Sequence, residues 1–306
     1  MTTSPRIASL VPGGTDLVAA LDLADHLVGV SHECDHPARY GKPILTRSAL
    51  FDGNNEPPRD PRTVDTRVTE TARSGQPLYL TDRDELRELS PDLIVAQAIC
   101  DVCAVTPAQA GADLPEGARL LELTATTVEG LYTDLERLGE ATGRAERALD
   151  VIEEVRTRLA RIHERVGTRR RPKVVTLEWS DPPYIGGHWV PEMVFLAGGE
   201  HALRGPGERS IRIDVRAIRE ADPDVVVFMP CGYDLEGALD EAAHTLAGWD
   251  LRAVRQGNLW ATDANTLFSR CTPHSVARGT EVLAAILHPD LFDPPTDREA
   301  QRVRPA

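Results

Sequence analysis

The chain has 306 residues, enough for two domains of ordinary size, and 41% of them are hydrophobic, which suffices for real cores. The net charge of -14 and the pI near 5.1 argue against a nucleic-acid partner. No run approaches about 18 apolar residues, so we expect no membrane span. Because the apolar run at residues 7–11 is too short for a signal peptide, we expect cytoplasmic residence, or a periplasmic or extracellular one if a leader was removed.

The first half of the chain alternates short apolar strands with helices. Residues 6–11 predict a strand, which Pro12-Gly13-Gly14 ends, and Thr15 then offers an N-cap to an apolar helix. Residues 50–78 are polar and predict a long, partly helical surface excursion. The other predicted elements are strands at 27–31, 92–96 and 119–123, and helices at 82–89 and 126–138.

The stretch from Ala145 to Val166 predicts one long helix with an apolar stripe. Apolar residues recur in steps of three and four, at Ala148, Ile152, Val155, Leu159, Ile162 and Val166. Gly143 and Gly167 flank the stretch, and Glu154 and Arg158 have the spacing of an ion pair. The helix would be about 33 Å long, so we interpret it as a rigid connection between two lobes.

The second half repeats the organisation of the first. Residues 87–95 (Arg-Glu-Leu-Ser-Pro-Asp-Leu-Ile-Val) match residues 219–227 (Arg-Glu-Ala-Asp-Pro-Asp-Val-Val-Val). We therefore predict an α/β protein with two doubly wound α/β lobes, mostly parallel sheets and one long rigid helix between them. The predicted divisions are an N-terminal lobe at 1–143, a connecting helix at 144–168, a C-terminal lobe at 169–293 and a frayed tail at 294–306.

Side chains that could bind a ligand or a metal follow the predicted strands. Ligands of parallel α/β sheets bind outside the carboxyl ends of the strands, so we expect these loops to face one cleft. The loops carry His32, His36, His188, Trp179, Tyr184, Phe268 and all five cysteines. Each histidine and aromatic residue also has an ordinary structural explanation, namely a backbone hydrogen bond or core packing.

The cysteines allow two interpretations. An odd number of widely scattered cysteines is not a disulfide framework, and each could be a small buried hydrophobic residue. Alternatively, Cys100 and Cys103 supply two thiolates of a metal or iron–sulfur site that Cys34 and Cys231 complete. We find neither a Gly-x-Gly-x-x-Gly nor a Gly-x-Ser-x-Gly motif, and no spacing typical of a nucleophile and its base, so we expect no enzyme.

Several stretches together resemble a known family. They are Ser9-Leu-Val-Pro-Gly-Gly-Thr-Asp16, Leu27-Val-Gly-Val-Ser-His-Glu-Cys-Asp-His-Pro37, Pro91-Asp-Leu-Ile-Val95, Cys100-Asp-Val-Cys103 and Gly187-His-Trp-Val-Pro-Glu-Met193. The set is similar to the cobalamin-binding, iron-complex-type (class III) substrate-binding proteins of ABC importers, over roughly residues 6–290. The resemblance implies two α/β lobes joined by one rigid helix, a corrinoid or related metal chelate in the cleft, and an ABC permease as partner.

The resemblance also implies a ligand-binding set. In the vitamin B12-binding members of the family, aromatic side chains from both lobes hold the corrinoid. The expected contacts in this chain are His36, Gln97, Trp179, Tyr184, His188, Trp189, Phe268 and Arg270. Besides the leader, which we do not expect here, two features depart from the family pattern. One is the Cys-x-x-Cys. The other is Arg216, which stands where the second lobe of the family has an acidic permease-docking residue, whereas Asp84 could serve in the first lobe.

Overall fold

The computed structural model describes residues 5–50, 60–97 and 114–304, and these divide into two compact units. The first unit contains the described residues up to Ala125 together with Gly130–Ile152, and the second contains Thr126–Glu129 and the residues from Glu153 onward. The first unit is built on a parallel sheet and the second on a mixed sheet, each with helices, in agreement with the predicted α/β class. The division falls inside the long helix, which the sequence analysis treated as a separate element.

The first unit is organised on a four-stranded parallel sheet. Its strands are β1 (Ile7–Ser9), β2 (Leu27–Gly29), β3 (Thr46–Ser48), β4 (Tyr79–Thr81), β5 (Leu93–Gln97) and β6 (Arg119–Leu123). The described helices up to the unit boundary are α1 (Pro12–Ala20), α2 (Pro61–Arg73), α3 (Arg83–Leu89), α4 (Val128–Thr142) and α5 (Ala145–Val166), with 3₁₀ turns at Ala24–His26 and Pro37–Arg39. The sheet order is β2-β1-β5-β6, and β3 and β4 form a separate antiparallel pair.

The second unit is organised on a mixed sheet. Its strands are β7 (Lys173–Ser180), β8 (Pro183–Ile185), β9 (Glu200–His201), β10 (Ile211–Arg212), β11 (Val225–Phe228), β12 (Leu259–Thr262) and β13 (Ala300–Arg302). Its helices are α6 (Val190–Leu196), α7 (Val215–Ala221), α8 (Leu235–Glu241), α9 (Arg252–Arg255), α10 (Ala264–Leu267) and α11 (Pro273–Leu287), with a π-helical turn at Ala242–Leu246. The order is β10-β8-β7-β11-β12-β13, and β7, β11 and β12 run parallel.

Helix α1 begins earlier than the sequence predicted. Proline fits the first helical position, and Pro12 takes it with Val11 as the N-cap residue, so Thr15 lies inside the helix and the prediction that it caps the helix is wrong. A Cβ on Gly14 would lie 2.7 Å from Ser9 Oγ and 2.9 Å from Val95 Cγ1. Glycine is therefore needed there because the first turn of α1 passes so close to the sheet.

The long helix α5 has the predicted bounds and the predicted stripe. All six residues of the stripe are buried, so the three- and four-residue periodicity correctly identified the packed face. The predicted partner of Arg158 was wrong. Its guanidinium contacts Glu281 of α11 at 2.8 Å, a long-range contact that helical spacing cannot reveal.

The repeated sequence forms the same local structure in both units. Helices α3 and α7 are capped by Asp82 and Asp214, and each ends at a residue with a left-handed backbone, Ser90 and Asp222. A central parallel strand follows in each case, β5 or β11. The match between residues 87–95 and 219–227, called the internal echo below, thus marks a duplicated helix–turn–strand motif.

The predicted frayed tail is wrong for its second half. Strand β13 pairs antiparallel with β12, and Val303 joins the core of the second unit. Glu299 accepts hydrogen bonds from Arg278 of α11, Nε to Oε1 at 2.6 Å and Nη2 to Oε2 at 2.9 Å. The Arg278 interaction is the main reason why the pKa of Glu299 falls to about 2. This bidentate ion pair holds the tail against the second unit.

Candidate ligand-binding site

Two of the predicted ligand-binding aromatic residues are direct cross-strand neighbours in the second unit. Tyr184 was predicted to lie in a turn-rich loop, but it forms strand β8, which pairs antiparallel with β7. Trp179 and Tyr184 lie opposite each other, after an irregularity between Leu177 and Trp179. Directly paired residues point to the same face, and both side chains are half-buried. They form an aromatic surface, with Ile185 buried on the core face.

A third aromatic residue, Tyr233, extends this surface. It lies in the loop after β11, and its ring meets the Trp179 ring edge-on, with 5.7 Å between centroids. The sequence analysis did not select Tyr233 as a ligand contact. The signal was present, because the residue lies directly after a buried strand, in the loop that was singled out for Cys231. Trp179, Tyr184 and Tyr233 are called the aromatic surface below.

His188 lies in a loop that is fixed against another loop of the same unit. Its backbone N–H donates to Glu208 O at 2.6 Å, its carbonyl accepts from Gly207 N at 2.9 Å, and its backbone is left-handed with φ 55°. Burial lowers the pKa of His188, and the nearby charges of Arg209 and Arg204 lower it further. The imidazole is therefore neutral at pH 7 and offers hydrogen bonds without a charge.

Gly187 allows these two loops to meet. A Cβ at this position would lie 2.5 Å from Glu208 O and 2.6 Å from Arg209 C, and closer still to Ser210 N. All three are backbone atoms, which cannot rotate away. The Gly187 N–H also donates to Ser210 Oγ at 3.1 Å. The site beside the aromatic surface therefore requires glycine here.

Two other predicted contacts lie in the core. Phe268 is 2% exposed and lies beside Gly279 of α11, and Trp189 is 7% exposed with its indole N–H donating to the Phe268 carbonyl at 3.0 Å. In this structure the Phe268 ring packs against α11, and its contact with a ligand stays a prediction. The half-buried Arg270 follows it, and its carbonyl accepts from the Ser275 hydroxyl at the start of α11.

In the first unit, His36 lies in the loop after β2 and Gln97 lies at the end of β5. The half-buried His36 caps the 3₁₀ turn Pro37–Arg39, and its Nδ1 accepts from the Ala38 N–H at 3.0 Å. A neutral imidazole then carries its proton on Nε2, which can donate a hydrogen bond. Tyr40, which the sequence analysis missed, is exposed just beyond it. Gln97 is the last residue of β5, opposite Leu123 of β6, and is half-buried.

The predicted thiolate cluster is only partly described. Cys34 is 1% exposed, and burial raises the pKa of its thiol, so it stays protonated at neutral pH. Cys231 is exposed after β11 and Cys271 is half-buried, while Cys100 and Cys103 lie outside the described residues. Across residues 5–50, 60–97 and 114–304, no three His, Cys, Asp or Glu side chains are arranged to hold a metal ion. In the same ranges, no helix is long and apolar enough to cross a membrane.

Comparisons with known proteins agree with the resemblance seen in the sequence. The family model described as periplasmic binding protein matches residues 7–266. An uncharacterized ABC transporter substrate-binding lipoprotein, YvrC, of Bacillus subtilis is 24% identical over 302 residues, which are 94% of this chain and 81% of the relative. The vitamin B12-binding protein of Vibrio campbellii is 22% identical over 281 residues, 90% of this chain and 87% of the relative.

A solved structure supports the fold. A periplasmic heme binding protein from Pseudomonas aeruginosa superposes with a TM-score of 0.69 at 20% identity, covering 98% of each chain. These relatives are binding proteins, in agreement with the expectation that the chain is not an enzyme. The family model spans most of the chain and includes both matching stretches, residues 87–95 and 219–227. The chain therefore belongs to the periplasmic binding protein family.

Proposed function

We propose that this chain is the substrate-binding protein of an ABC importer and that it binds a flat metal chelate, a corrinoid or a related macrocycle. The observation that carries the proposal is the aromatic surface, in which Trp179 and Tyr184 are paired on one face and Tyr233 meets Trp179 edge-on. The names of the relatives support it, since one binds vitamin B12 and a structural neighbour binds heme.

The chemistry of the surface suits a macrocycle. Tryptophan and tyrosine present large rigid apolar faces with little loss of side-chain entropy on binding, and a flat ring system can stack on them. The neutral His188 and the hydroxyl of Ser210, 3.4 Å from its Nδ1, add polar groups nearby. We propose that these groups contact the polar edge of the chelate, while His36 and Gln97 stay predicted ligand contacts of the first unit.

A permease partner is part of the proposal. Asp84 and Arg216 occupy equivalent positions, each being the second residue of its helix, α3 and α7. The Asp84 side chain is 96% exposed and forms an ion pair with Arg87 of the same helix, and Arg216 is exposed. The family docks through one acidic residue per lobe, so the arginine would require an acidic counterpart on the permease of this system.

The alternative of a thiolate-bound metal or iron–sulfur cluster finds no support in the relatives, and its Cys100 and Cys103 lie outside the described residues. Cytoplasmic residence stays a prediction, which fractionation of the native host would test. One relative is described as a lipoprotein.

The test is a calorimetric titration of the purified, chelator-treated chain with cyanocobalamin and with iron protoporphyrin IX. We expect one of them to bind one-to-one with a Kd of about 1 μM or tighter, equivalent to about -8 kcal/mol. The iron and zinc content of the chain, measured by elemental analysis before chelator treatment, serves as the control. If neither macrocycle binds and the protein holds metal that depends on its cysteines, the thiolate alternative is favoured instead.

A further inference from the structure

Arg212 continues the aromatic surface into a ladder of three side chains. Tyr184 of β8 lies opposite Trp179 of β7 on one side and opposite Arg212 of β10 on the other. Directly paired residues share a face, so the indole, the phenol and the guanidinium emerge on the same side of the sheet. Strand β10 is the outermost strand, which places the cation at the margin, about 10 Å from Trp179 by two interstrand spacings.

We propose that Arg212 binds a carboxylate on the edge of the chelate and selects for chelates that carry one. The inference rests on the proposed function and adds a ligand class to it. A macrocycle stacked on Trp179 and Tyr184 would present its rim toward β10. An apolar centre beside a charged margin is the arrangement that a flat ring with acidic substituents requires.

Arg212 is available for this role. It is exposed, and within the described part of the chain its side chain has no ion pair or hydrogen bond. Other arginines of the unit are engaged: Arg204 contacts Glu208, Arg252 contacts Asp222 and Asp224, and Arg278 contacts Glu299. Ligand binding by Arg212 would therefore break no existing ion pair.

Charge gives the ladder its selectivity. The chain carries a net charge of -14, so an anionic ligand is repelled by the protein as a whole and needs a local cation. A guanidinium matches a carboxylate with two parallel hydrogen bonds, whereas a neutral ester or amide rim offers no such pair. The same aromatic surface would then bind both kinds of ring but hold the acidic one more tightly.

The test compares iron protoporphyrin IX, which has two carboxylates, with its dimethyl ester in the same co-solvent, using the full chain. For the unaltered chain we expect the diacid to bind at least about tenfold more tightly than the ester. Arg212→Gln should remove that preference and leave ester affinity unchanged, and Arg212→Lys should restore part of it. Arg298→Gln, an exposed arginine just before Glu299, makes the same charge change and should preserve the preference.

The outcomes separate the two proposals. If the chain binds the ester and cyanocobalamin as tightly as the diacid, or if Arg212→Gln weakens diacid and ester equally, the role of Arg212 is wrong while the proposed function stands. If Arg298→Gln has the same effect as Arg212→Gln, only net charge matters, which also overturns the role. If no macrocycle binds, both proposals fail.

Discussion

Among individual residues, those of the aromatic surface should contribute most to chelate binding. Trp179→Ala and Tyr184→Ala should each weaken binding of the preferred chelate about 5- to 150-fold, because a stacked contact with an aromatic side chain is worth about 1–3 kcal/mol. Phe195→Ala is the matched control, since Phe195 is an exposed aromatic residue of α6 beneath Arg171. Calorimetry measures all three, and equal affinity in both surface mutants and the control would contradict the stacking role.

Gly187→Ala tests the two-loop arrangement beside this surface. The added Cβ meets only backbone atoms of the loop at 208–210, so we expect a loss of about 1–3 kcal/mol in the free energy of unfolding and weaker chelate binding. Gly248→Ala is the control, because its Cβ would meet nothing within 4 Å. Urea denaturation should separate the two variants. If they have the same midpoint, the loops are not in contact as described.

Residue identity predicted the surface only in part. Trp179, Tyr184 and His188 were selected because strand-end loops are the expected ligand side of an α/β sheet, and the structure pairs the first two across strands. Phe268 was selected on the same reasoning and Trp189 from the family resemblance, yet both are buried near α11. A lone aromatic residue after a strand has no signal that distinguishes a core position from a ligand-facing one. That distinction depends on packing against an element distant in sequence.

At the scale of elements, the buried stripe of α5 should dominate its stability. Ile152→Gly and Val155→Gly each lose about 1 kcal/mol of helix propensity and about 2–4 kcal/mol of buried contacts. Ala160→Gly, at an exposed position of the same helix, should lose only the helix-propensity contribution of about 1 kcal/mol. Thermal melting compares the three variants. Equal losses at all three positions would mean that the stripe does not pack.

The tail depends on the Arg278–Glu299 ion pair. Glu299→Gln should lower the free energy of unfolding at pH 7 by about 2 kcal/mol, since the partly buried guanidinium of Arg278 loses its bidentate carboxylate and keeps only its contact with Glu281. The folded pKa of Glu299, about 2, lies below its ordinary value of 4.5. Its contribution is therefore present above about pH 4.5 and is lost as the pH falls toward 2.

Urea denaturation at pH 7 and at pH 3 tests this element. The free energies of unfolding of the unaltered chain and of Glu299→Gln should differ less at pH 3 than at pH 7. Glu220→Gln, at an exposed position of α7, should change the free energy of unfolding little at either pH. A difference in the free energy of unfolding that stays constant with pH would contradict this role of the Glu299 pKa.

Sequence could not predict strand β13, because it has only three residues, Ala-Gln-Arg, and is held by partners far away in the chain.

Elements with strong local signals were predicted well. The periodicity of α5 and the echo of residues 87–95 at 219–227 each gave the correct element because local spacing and turn chemistry determine them. Strand β8 was missed because two prolines and two glycines surround Tyr184 and its ladder depends on β7 and β10. Pairing between strands is a property of the assembled sheet.

At the scale of the whole molecule, membership of the periplasmic binding protein family explains the two α/β units and the internal echo together. The family was recognisable from the sequence because several weak motifs occurred in one order along the chain. The ligand was not, because homologues with similar folds are named for vitamin B12 and for heme. We propose that specificity depends on individual side chains at the edge of the aromatic surface.

A crystal structure of the chain with the chelate that binds best in calorimetry would show directly whether the aromatic surface holds the ligand. We expect the macrocycle to lie in van der Waals contact, within about 4 Å, of Trp179 and Tyr184. For an acidic chelate, a carboxylate should lie within hydrogen-bonding distance of Arg212. A macrocycle bound away from these rings, or a metal held by cysteine thiolates with no macrocycle, would contradict the account.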